Sequence, residues 1–354
     1  MSWLTPDEDD DIPYGEYADH RVRERPNPKG NRPRTKRRPE HSDAVIGMVT
    51  GVDRGRYTVL VAAGSDPEDP TERTVTAARA RELRRSAIVI GDRVQLVGDT
   101  SGESGTLSRI VGIEERRTVL RRSADDSDTV ERVMVANADQ MLIVVAAANP
   151  EPRVRLVDRY LVAAYDAGIT PLICITKVDL ADPEPFLAHF TGLDVPVFRS
   201  APDAWPLEQI RSALAGRTTV FVGHSGVGKS TLINALVPEA DRATGHVNEV
   251  TGRGRHTSSS SVAFRADTSD AAGDPSPSGW VIDTPGVRSF GLGHVTPSSV
   301  LSGFTDLAEI IDSCPRGCTH QEDAPDCELD AAIADGRLDD TGALRVESLR
   351  RLLK

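Results

Sequence analysis

The chain has 354 residues, 38% of them apolar, with 42 Lys or Arg against 54 Asp or Glu and a formal charge of −12. That length suffices for two or three domains with separate cores. It holds no run near the roughly 20 apolar residues of a membrane span, and its N-terminus, MSWLTPDEDDD, lacks an apolar signal region, so a cytoplasmic protein with no membrane role is expected. Overall acidity excludes attraction to nucleic acid through total charge and leaves that task to clustered Lys and Arg.

Residues 1–42 are rich in proline, have no apolar period, and pass from an acidic block at 7–11 to a basic one at 21–38. This composition predicts a disordered tail. Its basic half can grip phosphate backbone or simply keep the tail solvated.

Residues 43–119 read as five short strands punctuated by glycine: AVIGMVTGV, RYTVLVAAG, RTVTAARA, IGDRVQLVG and TLSRIVGIEE. Alternation with β-branched residues at this spacing predicts an OB-type β-barrel, a common platform for oligonucleotides. Arg79, Arg81, Arg84 and Arg85, then Arg116, Arg117, Arg121 and Arg122, place basic clusters on its loops and exit. They suit RNA contact or plain solvation equally well.

Residues 120–295 are expected to form a doubly wound α/β domain. MLIVVAAA is a continuous apolar run, as in a parallel strand buried on both faces. PRVRLVDRYLVAAYDAG has helical spacing and ends on glycine, and PLICIT is the next strand. A helix over 184–189, strand VPVF, a helix over 207–214 and strand TTVFV follow. SVAFRAD and WVID then form a hairpin around the insertion TSDAAGDPSPSG. Residues 296–354 read as a small helical unit around a Cys/His cluster.

Five motifs carry chemistry. GHSGVGKS, residues 223–230, fits G-x-x-x-x-G-K-[ST] between a strand and a helix. Its backbone N–H groups can cradle phosphate, Lys229 adds a charge at the β and γ phosphates, and Ser230 can ligate Mg²⁺. DTPG follows strand WVI: Asp283 would hold Mg²⁺ through water and the Gly286 N–H would sense the γ-phosphate. In GRGRHT, residues 252–257, Thr257 would close on Mg²⁺ and γ-phosphate.

Where many GTPases carry a water-orienting glutamine after D-x-x-G, this chain has Val287. His256 is the replacement for that role or, alternatively, a surface hydrogen-bond donor. TKVD, made of Thr176, Lys177, Val178 and Asp179, resembles the guanine-reading N-K-x-D. The Asp179 carboxylate can accept from N1–H and the exocyclic amine, a pair of donors adenine lacks. Ser200 and Ala201 after the next strand reinforce it. Thr176 stands in place of asparagine and keeps one hydrogen bond without an amide's two-sided reach, so reduced guanine affinity is expected.

In ordinary GTPases the guanine element follows the phosphate loop; here it precedes it. The order is that of a circular permutation, with the barrel and the Cys/His unit on the new ends. Cys314-x₃-Cys318-x-His320-x₆-Cys327 offers three thiolates and one imidazole, the donor set of a closed structural zinc site. Cys174, alone in an apolar strand, reads as core.

This combination resembles the circularly permuted RsgA-type GTPases of bacterial small-subunit biogenesis, over residues 43–354. The resemblance implies a multidomain α/β chain with an N-terminal OB-type barrel, a circularly permuted P-loop GTPase domain and a C-terminal helical zinc-binding domain. It implies a monomer that binds the 30S ribosomal subunit and its 16S rRNA near the decoding centre. Slow hydrolysis of GTP to GDP would be stimulated by the subunit. By position it carries nucleotide contacts to Thr176, Lys177, Val178, Asp179, Ser200, Ala201, Gly223, His224, Ser225, Gly226, Val227, Gly228, Lys229, Ser230 and Thr231. Catalysis falls on Lys229, His256, Thr257 and Gly286, and zinc on Cys314, Cys318, His320 and Cys327.

The chain departs from the family pattern at Thr176, in two cysteine gaps and in its basic tail. Two rival readings remain at this level: a GTP-gated RNA-binding placement factor whose hydrolysis is incidental, and a P-loop ATPase or kinase.

Overall fold

The computed structural model describes residues 41, 43–83, 86–123, 131–202, 204–237, 240, 261–266, 278–284 and 295–354. Five strands open the described chain: β1 (Val45–Asp53), β2 (Arg56–Val61), β3 (Arg73–Arg79), β4 (Arg93–Val97) and β5 (Ser108–Ile113). They run in the order β1-β2-β3-β5-β4, and β4 pairs back onto β1, closing a barrel in which only the β3–β5 pairing is parallel. Side-chain alternation fills it: Tyr57, Val59 and Val61 of β2 point inward to meet Val49, Val75, Val94, Leu96 and Ile110. β1 serves both seams because it can bend at Gly47, where a Cβ would lie 2.5 Å from Val59 Cγ1 and 2.9 Å from the Leu60 carbonyl oxygen.

A two-stranded ribbon, β6 (Val119–Ser123) with β7 (Glu131–Ala136), follows the barrel and has no counterpart in the sequence reading. Its apolar residues fall in two short runs, Val119 with Leu120 and residues 133–136, without strand alternation, and Leu120 and Val135 are buried in the core shared with α1.

The chain then alternates: β8 (Gln140–Ala146), α1 (Val154–Asp166), β9 (Thr170–Thr176), α2 (Glu184–Leu187), β10 (Val197–Arg199), α3 (Leu207–Leu214), β11 (Thr218–Val222), α4 (Lys229–Leu236), β12 (Val262–Ala266) and β13 (Gly279–Asp283). The strand order is β10-β9-β8-β11-β13-β12, parallel except for β12, which runs antiparallel to β13. β8 is apolar from Met141 onward because it feeds two cores: Met141, Ile143 and Val145 face one layer, and Leu142, Val144 and Ala146 the other.

The phosphate-loop strand β11 lies between β8 and β13. The three strands ahead of it in sequence occupy one side of the sheet and the two behind it the other. The sheet also meets the barrel, since Gly51 of β1 pairs with Val262 of β12.

Four helices close the chain: α5 (Pro297–Leu301), α6 (Ala308–Asp312), α7 (Glu328–Ala334) and α8 (Asp340–Leu352). Asp339 caps α8 by accepting from the Gly342 N–H at 2.8 Å. Phe304, Val346, Leu349 and Leu352 join the core under α1. Gly192 permits the approach of α8, because a Cβ there would meet the Leu344 carbonyl oxygen at 2.4 Å. Among the described residues no helix is long and apolar enough to cross a membrane.

Candidate functional site

The C-terminal ends of β8, β9, β10, β11 and β13 converge on one edge of the sheet, the place where open α/β folds bind ligands. The turn after β11 is tight enough to need its glycines. A Cβ on Gly223 would sit 2.5 Å from the Val144 carbonyl oxygen, and Gly228 caps α4 in the left-handed region at φ 95°. His224, Ser225, Gly226, Ser230 and Thr231 are exposed on this turn, and Val227 is buried beneath it. The Lys229 ammonium contacts the Asp283 carboxylate across the turn. Thr284 anchors the end of β13 by donating to the Phe221 carbonyl at 2.8 Å. The phosphate-loop lysine and the DTPG aspartate, both expected near the γ-phosphate, therefore meet.

TKVD lies at the end of β9, beside this turn. Thr176 is only 2% exposed, and its hydroxyl lies 2.5 Å from the Val227 carbonyl and 3.3 Å from that of Val145. Lys177 takes a left-handed backbone (φ 58°) and donates to the Gly226 carbonyl at 2.8 Å and to that of Asn149. Asp179 is exposed, with no such tether among the described residues. The Val178 N–H donates to the Ser200 carbonyl (3.2 Å) and the Ser200 N–H to that of Ile175 (2.9 Å), stapling the segments after β9 and β10 together. Ala201 bridges to Ala204. His256, Thr257, Gly286 and Val287 lie outside the described residues.

The Cys/His cluster occupies the loop between α6 and α7. The ligand atoms of Cys314, Cys318, His320 and Cys327 all lie within 4.8 Å of one another. Burial, and then the neighbouring Cys327 and Cys318, push the Cys314 thiol up to about 11, and burial followed by Arg350 pulls His320 below its usual value. His320 Nδ1 is buried and has no hydrogen-bond partner among the described residues. Four converging soft donors with an orphaned ring nitrogen fit a tetrahedral metal ion. Arg350 of α8 braces the loop: its Nε donates to the His320 carbonyl at 3.0 Å, and Nη2 reaches Asp330 at 2.8 Å.

Sequence reasoning did not single out Arg350, nor the neighbouring Arg351, which holds Asp158 of α1 at 3.1 Å. The helical pattern of LRVESLRRLLK was the only signal.

The basic clusters divide. Arg116 turns inward, placing Nε 2.7 Å and Nη2 2.9 Å from the two oxygens of the wholly buried Asp92 and donating to the Ala87 carbonyl at 2.6 Å. Arg79 donates to the Ser86 carbonyl. Arg117, 69% exposed, lies 3.2 Å from Asp139. Arg81 and Arg121 are exposed, while Arg84, Arg85 and the Arg122 side chain lie outside the described residues.

A closed five-stranded barrel joined to a sheet whose phosphate-loop strand comes fourth, not first, defines a circularly permuted P-loop GTPase carrying an OB-type barrel. Two solved structures share this fold. The crystal structure of YjeQ from Thermotoga maritima superposes with a TM-score of 0.61 at 22% identity, covering 88% of this chain and 97% of its own. YloQ, described as a circularly permuted GTPase, superposes at 0.57 with 24% identity, covering 88% and 96%.

The family model of the RsgA GTPase matches residues 113–293. The small ribosomal subunit biogenesis GTPase RsgA of Pseudomonas fluorescens (strain SBW25) is 40% identical over 260 residues, 71% of either chain. Its namesake in Chlorobaculum parvum is 34% identical over 321 residues, 88% of this chain and 98% of its own. The chain belongs to the RsgA GTPase family and is a GTP-hydrolysing enzyme.

Proposed function

We propose that this GTPase acts in late maturation of the small ribosomal subunit. It binds 16S rRNA near the decoding centre of the 30S particle, and subunit-stimulated hydrolysis of GTP to GDP drives its release. The observation that carries this reading is the seam between barrel and sheet. β1 pairs with β12, the strand that follows residues 252–257, and β12 pairs with β13, which ends on Asp283. An RNA-bound barrel (43–119) and the strands that border the γ-phosphate-sensing segments in sequence thereby share one hydrogen-bonded sheet. The names of the relatives at 34–40% identity support the ribosomal role.

In this reading Asp179 selects guanine, with Lys177, Val178, Ser200 and Ala201 around the base, and residues 223–231 cradle the phosphates. Ser230, Thr257 and, through water, Asp283 would hold Mg²⁺, which supplies charge neutralisation at the β and γ oxygens. His256 orients the attacking water, and the Gly286 N–H senses the γ-phosphate. Cys314, Cys318, His320 and Cys327 hold one structural zinc that keeps the 296–354 unit folded against the subunit.

The test measures GTP and ATP hydrolysis with and without purified 30S subunits. Stimulation confined to GTP is expected, and its absence removes the ribosomal role. Replacing His256 by alanine should abolish the stimulated rate. An unchanged rate refutes the catalytic assignment, and normal release without hydrolysis makes the protein a GTP-gated placement factor.

A further inference from the structure

Two adjacent carbonyls of the phosphate loop are held by two adjacent residues of the base-reading motif. Lys177 holds the Gly226 carbonyl at 2.8 Å, and Thr176 the Val227 carbonyl at 2.5 Å. In a trans peptide the C=O of one residue and the N–H of the next point in opposite directions. Fixing the Gly226 carbonyl toward β9 therefore turns the Val227 N–H away from β9, and fixing the Val227 carbonyl does the same for the Gly228 N–H. Those N–H groups belong to the turn that must face phosphate oxygens.

Thr176 is poorly placed to read a base. It is buried beneath the turn, where a Cβ on Gly228 would lie 3.7 Å from its Oγ1. Its hydroxyl has one proton, and the Val227 carbonyl is 0.8 Å nearer to it than that of Val145 (3.3 against 2.5 Å).

We infer that Thr176 is a positioning residue of the phosphate cradle and not a guanine contact. The single hydroxyl that replaces an amide in this motif aims the Gly228 N–H at the nucleotide phosphates, and base selection is left to Asp179. The inference rests on the reading of residues 223–231 as the phosphate site, and the experiment separates the two.

GTP, GDP, ATP and 7-deaza-GTP, which lacks the N7 acceptor of guanine, are titrated by competition against a fluorescent GDP on the full chain with Mg²⁺. The same is done for Thr176→Val and Thr176→Ser. If the wild type binds none of these nucleotides, the phosphate-site reading itself fails, whatever the variants do. Given binding, Thr176→Val should weaken GTP, GDP and 7-deaza-GTP alike by about tenfold, the worth of one buried hydrogen bond, and Thr176→Ser should restore wild-type binding.

Loss for GTP but not for 7-deaza-GTP would make Thr176 a base contact and overturn the inference. So would unchanged binding by the valine variant. Thr176→Ala, which adds no methyl beside the Val227 carbonyl, carries the same comparison if the valine variant does not fold.

Discussion

Replacing Arg116 by alanine tests whether the barrel's exit arginine is a strut or a phosphate contact. Asp92 is 0% exposed and accepts from Arg116 twice, at 2.7 and 2.9 Å, and once from the Val89 N–H at 2.8 Å. Without Arg116 the carboxylate stays buried with that one backbone donor. Breaking a buried pair from one side costs roughly 3–5 kcal/mol, and the partial exposure of Arg116 puts this case at the lower end, about 3 kcal/mol.

The loop that suffers is tied to β1 through Gly91 N–H to Val49 O and Val49 N–H to Asp92 O, both at 2.9 Å. Hydrogen exchange at Val89, Gly91 and Val49 should therefore accelerate roughly a hundredfold, the equivalent of about 3 kcal/mol of local opening. Adding Asp92→Asn should recover much of the loss, because a neutral amide tolerates burial while still accepting from Val89. Arg117→Ala serves as the control, its exposed pair with Asp139 being worth about 0.5 kcal/mol. Unchanged exchange in Arg116→Ala, together with weaker RNA binding of shallower salt dependence, would refute the strut and restore the phosphate contact.

Asp179→Asn should lower GTP affinity about a hundredfold while leaving ATP binding as weak as before, since the two charge-assisted bonds to guanine are lost; competition titration reads both. For the zinc site proposed above, Cys327→Ser should reduce bound metal to a small fraction of one ion per chain, measured by elemental analysis of the purified protein. Strong chelation of the wild type should lower its thermal midpoint, because the loop braced by Arg350 loses its cross-link. Asp158 titrates above its ordinary 3.8, raised by burial and only partly offset by Arg351. A raised carboxyl stabilises the fold most when protonated, below 3.8, and that stability fades as pH rises through the folded value. Calorimetric midpoints of Asp158→Asn against wild type should lack that decline; an identical pH profile in both proteins would remove Asp158 as its source.

Much of the fold was written in local pattern. TTVFV and the helix over 207–214 formed at the expected residues, because strand alternation and helical period act within a few residues of chain. The continuous apolar run of β8 announced a strand buried on both faces, and the structure feeds it into two cores. The β6–β7 ribbon escaped notice because its apolar residues fall in two short runs without strand alternation. The donors of the Cys/His cluster were legible because all four lie within fourteen residues, which loop geometry alone can gather.

What the sequence by itself determined was the inventory: a barrel, a permuted P-loop sheet, and a Cys/His cluster whose four donors the fold gathers. Tertiary structure decided which polar groups are spoken for. Arg116 and Asp92 are 24 residues apart, Thr176 and Val227 are 51, and Arg351 and Asp158 are 193. A buried hydrogen-bonding group must find a partner in the fold, and over such separations only the packed chain says which one. Arg116, one of the loop arginines, is held by the buried Asp92 carboxylate, and the Thr176 hydroxyl lies 2.5 Å from the Val227 carbonyl of the phosphate loop.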